Sequence, residues 1–75
     1  MNFNRKLSDR VKDLIFLGAE MTRDIEMTYS YIEELLTPSE AKIVEDFLNW
    51  CIENSKTFGR KNINVVYQEY LESSN

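Results

Sequence analysis

The chain has 75 residues, enough for one domain, and a formal net charge of −4 from thirteen acids and nine bases. A domain this short buries only about 60% of the surface its unfolded form exposes, and the single Cys51 excludes an internal disulfide. The absence of histidine, with only one thiol, excludes the usual structural zinc sites.

An efficiently packed helical core, or association with another chain, must therefore supply stability. Two Gly and one Pro among abundant Leu, Ile, Glu and Lys give a helical composition. The apolar run Leu14-Ile15-Phe16-Leu17 is too short for a signal-peptide core or a membrane span. With a lone cysteine, which suits a reducing compartment, this leads to the expectation of a cytoplasmic protein.

Residues 1–6 are expected to be disordered, and Ser8 is a suitable N-cap with Asp9 in the first turn. From there Val11, Gly18, Ile25 and Ile32 form one heptad row, and Leu14, Met21, Thr28 and Leu35 the next. Ile15, Thr22, Tyr29 and Leu36 flank them. The stripe predicts one helix over 8–36, about 43 Å long at 1.5 Å per residue. Gly18 marks either a close helix crossing or a break into two shorter helices, and the unbroken phase favours continuity.

Thr37-Pro38-Ser39-Glu40 carries the clearest local signal: an N-cap, a proline in the first helical position, and a glutamate completing a capping box. The helix it opens is predicted over 38–55, with Ile43, Val44, Phe47, Leu48, Trp50 and Cys51 covering about half its circumference. Gly59 ends the connector and Asn62 caps a third helix over 62–73, where Ile63, Val66, Tyr67 and Tyr70 recur at helical spacing. Residues 74–75 are expected to be disordered. The predicted fold is all-α: a long antiparallel helical hairpin with a shorter third helix, a small three-helix bundle in a single domain over 1–75.

No catalytic centre is expected. Without histidine the commonest general base and the usual nucleophile pairings are missing. Cys51 falls on the apolar arc and reads as a structural thiol. The pairs Glu33-Glu34 and Glu45-Asp46 point about 100° apart on a helix, so neither converges on one atom. No Gly-rich phosphate loop or Asp-rich calcium loop is present, and no metal or cofactor is expected.

The charge is unevenly laid out. Residues 1–12 carry +3, residues 13–55 carry −8, and residues 56–61 carry +3. In an antiparallel hairpin the start of the first helix would lie beside the end of the second. A basic pole of Arg5, Lys6, Arg10, Lys56, Arg60 and Lys61 would result. An acidic face of Glu26, Glu33, Glu34, Glu45 and Asp46 would be the partner-binding surface. Phe16, Leu17, Met27 and Tyr31 lie off or at the margin of the main stripe and are candidates for self-association as a homodimer.

Three function classes are compatible with this pattern. The first is a small non-catalytic protein-binding regulator or inhibitor whose acidic helical surface occupies a positively charged cleft on another protein. That form is shared by phage or mobile-element products that block host enzymes. The second is a helix-turn-helix-like nucleic-acid-binding regulator using the basic pole, with Asn62, Asn64 and Gln68 facing bases. Leu36-Thr37-Pro38-Ser39-Glu40-Ala41 resembles the start of a helix in some winged regulators. Against it, the would-be recognition helix carries Glu69 and Glu72 and no base after Lys61, which disfavours nucleic acid on charge. The third is a structural adaptor subunit. No membrane partner is expected.

Overall fold

The computed structural model describes residues 6–73. Among them are four helices and no strand: α1 (Asp9–Thr22), α2 (Ile25–Ile32), α3 (Pro38–Glu53) and α4 (Ile63–Glu72). A 3₁₀ turn, Glu33–Leu35, extends α2 toward α3. The protein is a small all-α bundle, as its composition and periodicity indicate. Arg5 and the ends 1–5 and 74–75 lie outside the described residues.

The single helix predicted over 8–36 is instead two. The chain reverses at Arg23, which takes the left-handed conformation with φ 56° and donates its N–H to the Ala19 carbonyl at 2.7 Å. This is the αL way of ending a helix. Asp24 then caps α2, accepting from the Glu26 N–H at 2.9 Å. Thr22 Oγ1 pins the corner by donating to the Gly18 carbonyl at 2.8 Å.

The reversal has a packing cause. A helix of about 43 Å would overhang the 16-residue α3 and leave its apolar stripe in water, whereas the folded molecule is only 33 Å in its longest dimension. Folding back lets both halves of the stripe face a common core, with Val11, Ile15, Thr28 and Ile32 all buried.

Gly18 makes that fold-back close. It is the helix crossing that its position suggested, not the break. A Cβ at position 18 would stand 2.8 Å from Thr28 Cγ2, 3.1 Å from Ile32 Cγ2 and 3.3 Å from the Thr28 carbonyl oxygen. Thr28 is fully buried, and its hydroxyl donates to the Asp24 carbonyl at 2.9 Å.

The predicted caps at Ser8 and Thr37 both form. Ser8 Oγ accepts from the Val11 N–H at 3.2 Å. Thr37 Oγ1 accepts from the Glu40 N–H at 3.3 Å while the Glu40 carboxylate accepts from the Thr37 N–H at 2.9 Å. Asn62 stands at the start of α4 but does not cap it; its side chain turns back to bond the Gly59 N–H and the Thr57 carbonyl. α3 ends two residues earlier than predicted. Ser55, with φ 55°, takes the left-handed position of a Schellman motif in which the Lys56 N–H reaches the Cys51 carbonyl at 2.7 Å.

The core centres on α3, where Val44, Phe47, Leu48 and Cys51 are buried. Phe47 stacks on Phe58 at 5.9 Å and meets Tyr70 edge-on at 5.0 Å. Leu7, upstream of the predicted helix, is also a core residue, and its N–H donates to the Tyr67 hydroxyl at 2.7 Å.

Gly18→Ala separates helix propensity from packing. The alanine gains about 1 kcal/mol of intrinsic propensity, while overpacking a tight crossing costs about 1–3 kcal/mol. Both facing side chains are buried and β-branched, so the net expectation is a loss of about 1 kcal/mol, a fall in Tm of about 4–8 °C. In a Thr28→Ser background, which removes Cγ2 and keeps the hydroxyl, the same substitution should cost less. Thermal denaturation of the four proteins of this cycle decides it, and an unchanged or raised Tm for Gly18→Ala would contradict the close crossing.

Candidate interaction surfaces

The fold redistributes the charges expected at a basic pole. Because α1 pairs with α2, the start of α1 lies beside the start of α3. The Arg10 guanidinium there meets the Glu40 carboxylate at 3.1 Å and the Leu35 carbonyl at 2.6 Å. Lys56 pairs with Glu69 at 2.9 Å, and Arg60 lies over the Phe16 ring at 4.8 Å. Lys6 and Lys61 are exposed. The basic residues are spread over both ends of the molecule, and no basic pole forms from the described ones. The antiparallel pairing that would have built it belongs to α1 and α2 instead.

The five carboxylates of the expected acidic face divide. Glu26 and Glu45 share a groove of about 200 Å³ between α2 and α3, lined also by Ile25, Tyr29, Leu48, Asn49 and Ile52. Glu33, seven residues beyond Glu26, continues the same side of α2. No described cation pairs with Glu26, Glu33 or Glu45. Glu34, one residue further on in the 3₁₀ turn, points about 120° away from Glu33. Asp46 is turned toward α4, where it accepts a hydrogen bond from the Tyr70 hydroxyl. Sequence reasoning missed Tyr29 and Ile52 as the groove's apolar part, although Tyr29, at i+3 from Glu26, carries that signal.

A larger recess of about 700 Å³ lies between α1 and the start of α4, over Phe16 and Ile63. Some of its charges are engaged within the chain, whereas Asp13 and Glu20, which also line it, have no ion-pair partner among the described residues. Lys12 donates to Asn64 Oδ1 at 2.9 Å and sits 3.5 Å from Asp9, while Arg60 covers Phe16. Phe16 is thereby half-buried against the core and is no free self-association residue. Leu17, Met27 and Tyr31 are exposed, as are Met21 and Leu35, which the heptad pattern places in the packed stripe.

The α3–α4 pair differs from a helix-turn-helix. Nine residues, 54–62, join the helices, against the three or four of that motif. Asn62 is bonded to its own connector, Asn64 to Lys12 and Gln68 to Glu72. All three amides proposed to face bases are engaged within the chain.

Burial pushes the Cys51 thiol up to about 12, with nearby Lys56 offsetting only part of the effect. A thiol so placed is not a nucleophile at neutral pH. Among the described residues no group of three His, Cys, Asp or Glu is arranged to hold a metal, and no helix is long and apolar enough to cross a membrane. No protein-family model, curated protein or solved structure matches the chain. Function must be argued from the surfaces themselves.

These environments can be measured in two ways. Cys51 should resist thiol-labelling reagent in mildly alkaline native buffer and react fully in denaturant; rapid native labelling would contradict its burial. Glu40 provides a pH dependence. The Thr37 N–H and then the Arg10 guanidinium hold its carboxyl below its ordinary 4.5, against an opposing push from burial. A group lowered on folding stabilises the fold above its unfolded pKa, and that contribution disappears as pH falls through the lowered value. Glu40→Gln should therefore reduce the drop in Tm on acidification below 4.5, and an unaltered drop would exclude Glu40 as a contributor.

Proposed function

We propose that this chain is a small protein-binding regulator with no chemistry of its own, docking its acidic α2–α3 face onto a basic surface of another protein. One observation carries this reading: Glu26 and Glu45, with no ion-pair partner among the described residues, line one groove together with the apolar Ile25, Tyr29, Leu48 and Ile52. Residues 24–54 hold eight acids against Lys42 alone, a balance of −7. The groove adds Tyr29 and the partly exposed Ile52 to Glu26 and Glu45.

That combination suits a basic, amphipathic partner. Apolar contacts supply affinity, while carboxylates select positive charge and speed encounter. Nucleic-acid-binding clefts on proteins carry such a field, and a helical face with spaced carboxylates can occupy one in place of phosphates. Inhibition by occupying a cleft of this kind is the sharper form of the proposal. The engaged amides and the acidic α4 weigh against direct binding of nucleic acid.

Affinity capture from lysate of the source cells, near physiological salt and after nuclease treatment, tests the reading. The expected result is a stoichiometric protein that elutes as salt rises. A Glu26→Lys/Glu45→Lys variant should weaken its binding by about a hundredfold or more if the two charges act as central contacts. Arg60→Ala and Lys61→Ala should be nearly silent. Retention of nucleic acid without protein, or equal capture by the charge-reversed variant, would overturn the proposal.

A further inference from the structure

The outer flank of the α1–α2 hairpin carries a cluster of exposed apolar side chains, with Leu17 at its edge toward the α4 recess. Successive helical residues turn by about 100°, and Gly18 and Thr28 face each other across the hairpin. Leu17 and Met21 then fall on one flank of α1, and Met27 and Tyr31 on the same flank of α2. The opposite flanks are occupied: Lys12 and Phe16 meet α4 and its connector, and Ile25 and Tyr29 meet α3. Leu17, Met21, Met27 and Tyr31 are 46%, 61%, 58% and 47% exposed, and Leu35 continues the face at 52%. These are five of the seven large exposed hydrophobics among the described residues, so the exposure is concentrated on this side.

We propose that this face pairs with the same face of a second copy about a two-fold axis, making a four-helix dimer. Its dimensions favour that occupant. The face runs about 21 Å along the 14-residue α1 and is about 20 Å wide across two helices packed 8–10 Å apart. A single docked helix, about 10 Å across, covers half that width. A second hairpin covers all of it. The projected area is about 400 Å², below the roughly 600–1,000 Å² per partner of stable specific interfaces, so the pairing is a weak, concentration-dependent one.

Charge gives the pairing a direction. Arg23 stands at the hairpin tip beside Asp24, and Glu34 lies in the 3₁₀ turn at the other end, where Arg10 is already engaged with Glu40 and the Leu35 carbonyl. Neither Arg23 nor Glu34 has an ion-pair partner among the described residues. An antiparallel two-fold arrangement brings each Arg23 toward the other copy's Glu34, twice by symmetry. The four apolar side chains meet in the centre, where water is excluded. Both α2–α3 grooves remain open in this arrangement, which is independent of what those grooves bind.

Analytical ultracentrifugation of the full chain over a wide concentration range tests this. The expected mass rises to twice 8.9 kDa. Met21→Glu and Tyr31→Glu should each raise the dimer Kd at least about tenfold, since each sets an unpaired charge in a dry interface. Circular dichroism should show helicity unchanged, because both side chains are exposed in the monomer. Ile52→Glu, on the other side of α2, should leave the dimer intact. Arg23→Glu and Glu34→Arg should each weaken it, and the two together should restore it. A monomer at every concentration, a dimer indifferent to Met21→Glu, or equal sensitivity to Ile52→Glu would overturn the proposal.

Discussion

The close approach of α1 and α2 at Gly18 is the contact on which the rest of this structure depends. With no side chain at that position, the α2 backbone comes near enough for the Thr28 carbonyl to lie 3.3 Å from where a Cβ would be. The approach allows a reversal in two residues, and the reversal sets the course of the chain beyond it. α2 returns alongside α1, so the chain enters α3 beside the start of α1, where Arg10 holds both the Leu35 carbonyl and the Glu40 carboxylate of the capping box. The reversal has its own cost, since a left-handed non-glycine residue loses about 1–2 kcal/mol. The bonds at Ala19, Thr22 and Asp24, and the apolar stripe brought inward, offset it.

The same reversal decides the electrostatics. A continuous first helix would have gathered the cations at one pole. The hairpin instead deals them out to carboxylates and rings one at a time: Arg10 to Glu40, Lys56 to Glu69, Arg60 to Phe16. On the α2–α3 side, Glu26, Glu33 and Glu45 are left with no ion-pair partner among the described residues. Surface ion pairs of this kind contribute little stability, about 0–1 kcal/mol each. Their larger effect is on which charges remain for a partner to meet.

Much of the fold is legible in the residues. Ser8 and the Thr37-Pro38-Ser39-Glu40 box act as helix starts, and the apolar arc of α3 is the centre of the core, because caps and periodicity are local physics. The reversal is hidden for a physical reason. Both arms of a helical hairpin face one core, so their stripes resemble a single stripe, and the two corner residues leave the heptad phase nearly intact. The usual marker of a helix end, a glycine in the left-handed position, is absent there, since Arg23 occupies it, as Ser55 does at the end of α3. The surfaces are legible in proportion. Glu26 and Glu45 can be named from sequence, but only the 3₁₀ turn carries Glu34 away from Glu33, and only α4 draws Asp46 away. Met21 and Leu35 sit in rows that a continuous helix would bury.

α2 carries both proposed surfaces on eight residues. Isolated helices shorter than about 12–15 residues are marginal in water, so α2 persists because α1 holds one side through Gly18 and α3 holds another through Leu48 and its neighbours. Its remaining circumference is divided between Met27 and Tyr31 on the outer face and Glu26 and Tyr29 on the groove. The two faces thus share one short helix that its neighbours hold in place. A substitution that loosens α2 from Gly18 or from Leu48 disturbs both surfaces at once, whereas one on either exposed face leaves the other's residues where they are.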